Sequence, residues 1–247
     1  MRRSNKRGRK YRKTRRLRKS RKAKHSGGTT HKTVYPPDSI KTYISNVVYV
    51  NLDSRTDRRA QIEQELKIFN PEQVHRVPGI VPEIMDMPHK SIALAKAHLS
   101  AVKLAKEHNW PNTLFLEDDS VWANIDKAYP AFEALVKKSY DAIMLSSHNA
   151  KYDAEFRAES ATSGDAYLLH NSHYSIFIDK LQAMIDSFVS GVTGWSNSEA
   201  DAAVFGPLQK EYKWYIVVPA LMTQLPGVSD RVGTYQNFTG SDPKPQV

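Results

Sequence analysis

The sequence predicts an α/β fold in which a mostly parallel sheet is flanked by helices. Three observations predict it. Short β-branched apolar runs alternate with stretches of helical periodicity from residue 43 onward. Clusters of Asp, Arg and Ser stand where those apolar runs stop, as they do at the carboxyl ends of strands in open α/β sheets. The body that carries this pattern has roughly 200 residues, enough for one domain with a sizeable core.

The elements follow in order. "ISNVVYVNL" is a β-branched run of strand length, ending at "DSRTDRR", where Asp53, Ser54 and Thr56 are candidate caps for the helix "DRRAQIEQELKIF". "EQVHRVPGI" is a short second strand. After a proline-rich turn, "SIALAKAHLSAVKLAKEHN" spaces its apolar residues as a helix does, and "NTLFLEDD" is the next strand. "DKAYPAFEALVKK" reads as a helix despite Pro130, "YDAIMLSS" and "GDAYLLHN" as strands, and "YSIFIDKLQAMIDSF" as an amphipathic helix. "SNSEADAAVFGPLQ" reads as a helix broken at Gly206-Pro207, and "YKWYIVVP" as a last strong strand. No internal repeat is visible.

Charge divides the chain. Its formal net charge is +10, yet 16 of its 36 Lys and Arg precede residue 34 and its first acid is Asp38, which leaves 20 basic against 26 acidic residues, a net of −6. The expected organisation is a disordered basic tail over residues 1–37, a domain over 38–240 and a flexible end over 241–247. Such a tail can attach to nucleic acid or another polyanion, target the nucleus, or only solubilise. Its first 33 residues hold one aromatic, Tyr11, and so no base-stacking platform. Cysteine is absent, so disulfides and thiolate metal sites are excluded and any metal must be held by oxygen or imidazole nitrogen. No apolar stretch reaches the length of a membrane span and the N-terminus lacks the apolar segment of a secretory signal, so an intracellular, soluble protein is expected.

Three polar clusters carry the chemistry. In "NLDSRTDRR", Arg55, Arg58 and Arg59 surround a strand-to-helix junction, where amides and guanidinium groups can hold phosphate or the arginines can simply be a solvated face. In "LFLEDDS", Glu117, Asp118 and Asp119 repel one another, so at least one must be hydrogen-bonded, protonated or bound to a cation. Mg²⁺ or Mn²⁺ takes one or two carboxylates plus the phosphates of its substrate, whereas the plainer reading has the two aspartates capping the next turn. In "PALMTQLPGVSDRVG", Gln224, Ser229 and Asp230 are hydrogen-bonding groups in a turn-rich loop.

The succession of "VVYVNLDSRTDRR", "AHLSAVKLAKE", "LFLEDDSVW", "DAYLLHN", an acid within "SEADAAVF" and "MTQLPGVSD", over residues 44–233, resembles glycosyltransferase family 25, the lipooligosaccharide glycosyltransferases and procollagen galactosyltransferases. The resemblance implies a GT-A-like, Rossmann-type fold, a nucleotide-sugar donor (commonly UDP-galactose), Mn²⁺ (or Mg²⁺) and inversion at the anomeric carbon. It places Asn51, Leu52, Arg55, Asp57 and Arg58 on the nucleotide part of the donor. It gives Asp119 to the metal, Asp118 to metal or ribose, and Gln224, Ser229 and Asp230 to the neighbourhood of diphosphate and metal. Asp201 matches the acid that takes the acceptor's proton. The chain departs from the family in its middle helix, where "KSIALAKAHL" keeps His98 without the Gly, Cys and Ser that often precede it, and its last histidine is His173, so no C-terminal histidine joins a metal shell. His98 reads equally as packing or as site. Trp195 and Trp214 read as packing. Basic arms of this style are common in proteins of giant DNA viruses, which implies a glycan or collagen-like acceptor and a location in host cytoplasm or virion. The competing class is a polyanion- or nucleic-acid-binding protein built on a glycosyltransferase-like scaffold.

Overall fold

The computed structural model describes residues 32–192 and 199–237, and for Asp201 the backbone alone. Residues 33–247 form one compact unit. Residues 1–31, the C-terminal segment expected at 241–247 and Trp195 lie outside the described residues.

A four-residue helix, α1 (Ile40–Tyr43), leads into β1 (Asn46–Asn51), whose six residues are all buried. A strand covered on both faces reads as a continuous apolar run rather than an alternation, which is why "NVVYVN" looks as it does. Next come α2 (Thr56–Glu65), β2 (Val74–Pro78), α3 (Met87–Glu107), β3 (Asn112–Glu117) and β4 (Ser120–Trp122). They are followed by α4 (Ile125–Val136), β5 (Ala142–Met144), the pair β6 (His148–Tyr152) and β7 (Ala158–Thr162), β8 (Ala166–His170) and α5 (Tyr174–Val189). A π-helical turn, Asp201–Phe205, runs into α6 (Gly206–Glu211), and the described chain closes with β9 (Trp214–Ile216), β10 (Met222–Gln224), β11 (Gly227–Val228) and β12 (Tyr235–Gln236).

Six strands form one sheet in the order β2-β1-β3-β8-β5-β9. β1 is parallel to β2 and β3, β5 is parallel to β9, and β8 runs antiparallel between β3 and β5. This is the mostly parallel, helix-flanked sheet expected. Alternate residues of each strand feed opposite cores. Val48, Phe115 and Tyr167 pack with α3 and α5 through Val102, Phe177 and Leu181. Val47, Leu114 and Leu168 pack with α2 and α4 through Ile62 and Phe132. A row of alanines on α3, including Ala93, Ala97, Ala101 and Ala105, is buried and lets the helix lie close against its neighbours. Its start is fixed by Asp86, which accepts a hydrogen bond of 3.0 Å from the His89 amide.

Some expectations require correction. None of Asp53, Ser54 or Thr56 caps α2: its cap position is Arg55, without a capping side chain, and Asp53 is instead ion-paired to Arg76. Gly206-Pro207 does not break its helix, because the π-helical turn ends there and proline occupies the first turn of α6, where no amide donor is needed. "YKWYIVVP" contributes only the three residues of β9. The segment "NAKYDAEFRAESATS", to which the sequence pattern assigns no element, contains most of the β6–β7 hairpin.

Candidate functional site

Parallel pairing of β1 with β3 sets Val50 beside Glu117, so the polar residues after each strand emerge together. Asn51, almost fully buried, donates from Nδ2 to Asp118 Oδ2 at 2.7 Å and to the Arg55 carbonyl at 3.1 Å, while its Oδ1 accepts from Arg76 Nε at 3.1 Å. Arg58, in the first turn of α2, reaches back to the acids. Its Nη1 is 3.0 Å from Asp118 Oδ1, 3.0 Å from Asp119 Oδ2 and 4.0 Å from Asp230 Oδ2. Its Nη2 donates to the Val228 carbonyl at 2.9 Å.

Pairing of β10 with β4 brings in the closing motif, with Gln224 opposite Ser120. The Leu225 amide donates to the Asp119 carbonyl at 2.8 Å, and Gln224 Nε2 donates to Asp119 Oδ1 at 3.4 Å. Arg55 grips both oxygens of Asp57 at 3.0 Å each and is ion-paired to Asp230. Its fork holds the Asp57 carboxyl down at about 2.

The three clusters singled out in the sequence thus meet at one place. They line a cavity of about 640 Å³ with Leu52, Arg58, Asp118, Asp119, Ser229 and Asp230 at its polar end. Gln224 also lines it, whereas Asn51, Arg55 and Asp57 stand outside the wall and support residues that form it. For Asp201 the fold places the backbone in the π-helical turn, and its side chain lies outside the described residues. Glu199, two residues earlier, lines the cavity and pairs with Arg231 at 3.3 Å.

The electrostatics are one-sided. Burial works against the charge on Arg58, but Asp119 and Asp118 more than offset it and raise its pKa. Burial pushes the Asp119 carboxyl up, opposed by Arg58. Glu117 is pushed well up by burial and then by Asp119 and Asp165. Asp165, at the entry to β8, is raised to about 7 by burial and by Asp119. Its Oδ1 is bonded by Ser163, and its Oδ2 has no hydrogen-bond partner. Asp118 is therefore the acid that Asn51 and Arg58 satisfy most fully, while Asp119 shares Arg58 and accepts from Gln224.

Sequence reasoning left Glu117 without a role and missed Asp165 and Ser91. His98 lies in the same cavity, with Nδ1 2.8 Å from the Tyr167 hydroxyl, and burial lowers its pKa to about 4. Trp214 is fully buried and stacks on Phe177, a packing residue as expected.

Whether a divalent cation fits can be read from the acids. Asp118 Oδ1 and Asp119 Oδ2 converge on one point, which the Arg58 nitrogen marks. Among the described residues no three His, Asp or Glu side chains are grouped to hold a metal by themselves. A hard cation held by both carboxylates would have to displace Arg58 from that point and draw its other ligands from water and phosphate. No helix among the described residues is long and apolar enough to cross a membrane.

No protein-family model matches the chain, and no curated protein is similar to it in sequence. Among solved structures, a mannose-1-phosphate geranyltransferase from Thermus thermophilus is similar over 70% of this chain and 72% of that one, with 9% identity and a TM-score of 0.41. A glycosyltransferase involved in the glycosylation of the major capsid of PBCV-1 is similar over 70% of this chain and 81% of its own, with 10% identity and a TM-score of 0.44. The resemblance to glycosyltransferase family 25 is carried by the sequence motifs alone.

Proposed function

We propose that the body is a glycosyltransferase that moves a hexose from a nucleoside-diphosphate donor, UDP-glucose or UDP-galactose, to a hydroxyl of a glycan or collagen-like protein, with inversion. The observation that carries this reading is the convergence of Asp118, Asp119 and Arg58 at the carboxyl ends of two parallel strands, facing a cavity of about 640 Å³. A site of that kind suits a diphosphate leaving group, which needs fixed positive charge beside it.

Asn51 and Gln224 orient the two aspartates, and Arg58 sets a positive charge between them. Mn²⁺ or Mg²⁺, held by Asp118 and Asp119 together with phosphate oxygens and with Asp230 nearby, would neutralise the leaving group's charge. The acceptor's proton passes to the carboxylate of Asp201, the residue the resemblance gives to that role. The freed oxygen bonds to the anomeric carbon opposite the diphosphate, and the old bond's electron pair leaves with the diphosphate.

The test is release of UDP from UDP-hexoses by the full chain. Asp119→Asn should lower turnover by about 100-fold or more. Equal turnover by wild type and variant would remove Asp119 from the mechanism. The crowding of 16 Lys and Arg into the first 33 residues favours an added role, attachment of the enzyme to a polyanion such as nucleic acid.

A further inference from the structure

We infer that the inner part of the cavity recognises a hydroxyl group of the transferred sugar, through His98 Nε2 and the Glu117 carboxyl, with the Ser91 hydroxyl farther along the same face of α3. This deepens the glycosyl-transfer reading and rests on it.

α3 presents Ser91, Ala95 and His98 to the cavity at a spacing that keeps them on one helix face. Ser91 is buried, and its Oγ has no hydrogen-bond partner. A serine inside a helix ordinarily bonds a carbonyl one turn back, and a buried hydroxyl left without a partner is destabilising. A ligand group in the cavity would remove that cost.

The second observation is independent of the first. Tyr167 fixes the His98 ring through Nδ1, at 2.8 Å, and its own ring is stacked on it. The remaining nitrogen, Nε2, lies 4.0 Å from Glu117 Oε1. That gap is too long for a hydrogen bond, but a single hydroxyl oxygen beside both atoms, at about 2.8 Å from each, bridges it. With the proton on Nε2 and Nδ1 accepting from the Tyr167 hydroxyl, such a hydroxyl accepts from Nε2 and donates to the Glu117 carboxylate, so it satisfies both ends of the pair.

Tyr167, Phe177 and Phe205 border the same region as fully buried rings, so they back its wall and hold its shape. Glu117 is two residues along the chain from Asp119. A donor whose diphosphate lies against the aspartates therefore brings its own sugar, rather than the acceptor, to the His98–Glu117 gap.

The experiment measures UDP release by the full chain from UDP-glucose, UDP-galactose and donors lacking one ring hydroxyl each. It compares wild type with His98→Gln, Glu117→Gln and Ser91→Ala, and measures inhibition by UDP in each. One deoxy donor should lose about tenfold or more in kcat/KM with wild type, and that loss should disappear in His98→Gln while inhibition by UDP is unchanged. Ser91→Ala, the mildest change, should reduce discrimination while leaving the melting temperature in place. Deoxy penalties identical in wild type and all folded variants would mean that only water fills the gap, and would overturn the inference. Failure of UDP to inhibit or bind wild type would bring down the glycosyl-transfer reading and this inference with it.

Discussion

Arg58 is the single cation within 3.0 Å of both Asp118 and Asp119 among the described ion pairs, and all three side chains are largely buried. Replacing it with alanine strands two carboxylates beside Glu117 and Asp165. Arg58→Ala should therefore cost about 3 kcal/mol, seen as a lower urea midpoint, and Arg58→Lys less. An unchanged midpoint would show that the acids are held by something else. Asp165 gives a pH dependence. Its folded pKa, about 7, lies above the unfolded carboxylate value, so its contribution is complete below about pH 4 and is lost as pH rises to 7 and beyond. Asp165→Asn, measured without metal or donor, should gain stability relative to wild type at pH 8 and show little of that gain at pH 5. A gain independent of pH would mean that Asp165 does not titrate there. Arg58, Asp118 and Asp119 were legible in the sequence because each follows a recognisable strand within a few residues. Asp165 and Ser91 were not, since what matters about each is a missing partner, and partners come from the packing of distant elements.

At the scale of elements, hydrophobic pattern revealed where the main strands and helices lie but not how β8 runs. Four of its five residues are buried, so the run looks the same in either direction, and only pairing shows it antiparallel to β3. The β6–β7 hairpin escaped because its residues are polar or small and most of them are exposed or partly so, which removes the alternation that marks a strand. Its turn also holds Phe156 at φ 63, a conformation no composition rule would assign to phenylalanine. The β2–α3 connection gives a sharper test. A Cβ added at Gly79 would stand 2.9 Å from Leu52 Cδ2 and 3.0 Å from the Leu52 backbone nitrogen. The side chain can rotate away but the backbone cannot. Gly79→Ala should destabilise by about 1–3 kcal/mol and lower the melting temperature by several degrees. A neutral result would mean that the end of β1 is free to shift.

Over the whole molecule, residues 33–247 form one compact unit, while the basic run read from the sequence falls almost wholly outside the described residues. The body's polar clusters lie far apart in sequence, at residues 51–59, 117–119 and 224–230, yet parallel pairing of β1 with β3 and antiparallel pairing of β10 with β4 bring them to one cavity. That convergence is the central claim, and a binding measurement tests it most directly. Calorimetry of the full chain with UDP-glucose and UDP-galactose, with and without Mn²⁺, should show binding to at least one donor that strengthens with the metal. The Asp118→Asn/Asp119→Asn double variant should lose that strengthening. Absence of binding by a folded wild type, or equal metal-dependent binding by the double variant, would contradict the account.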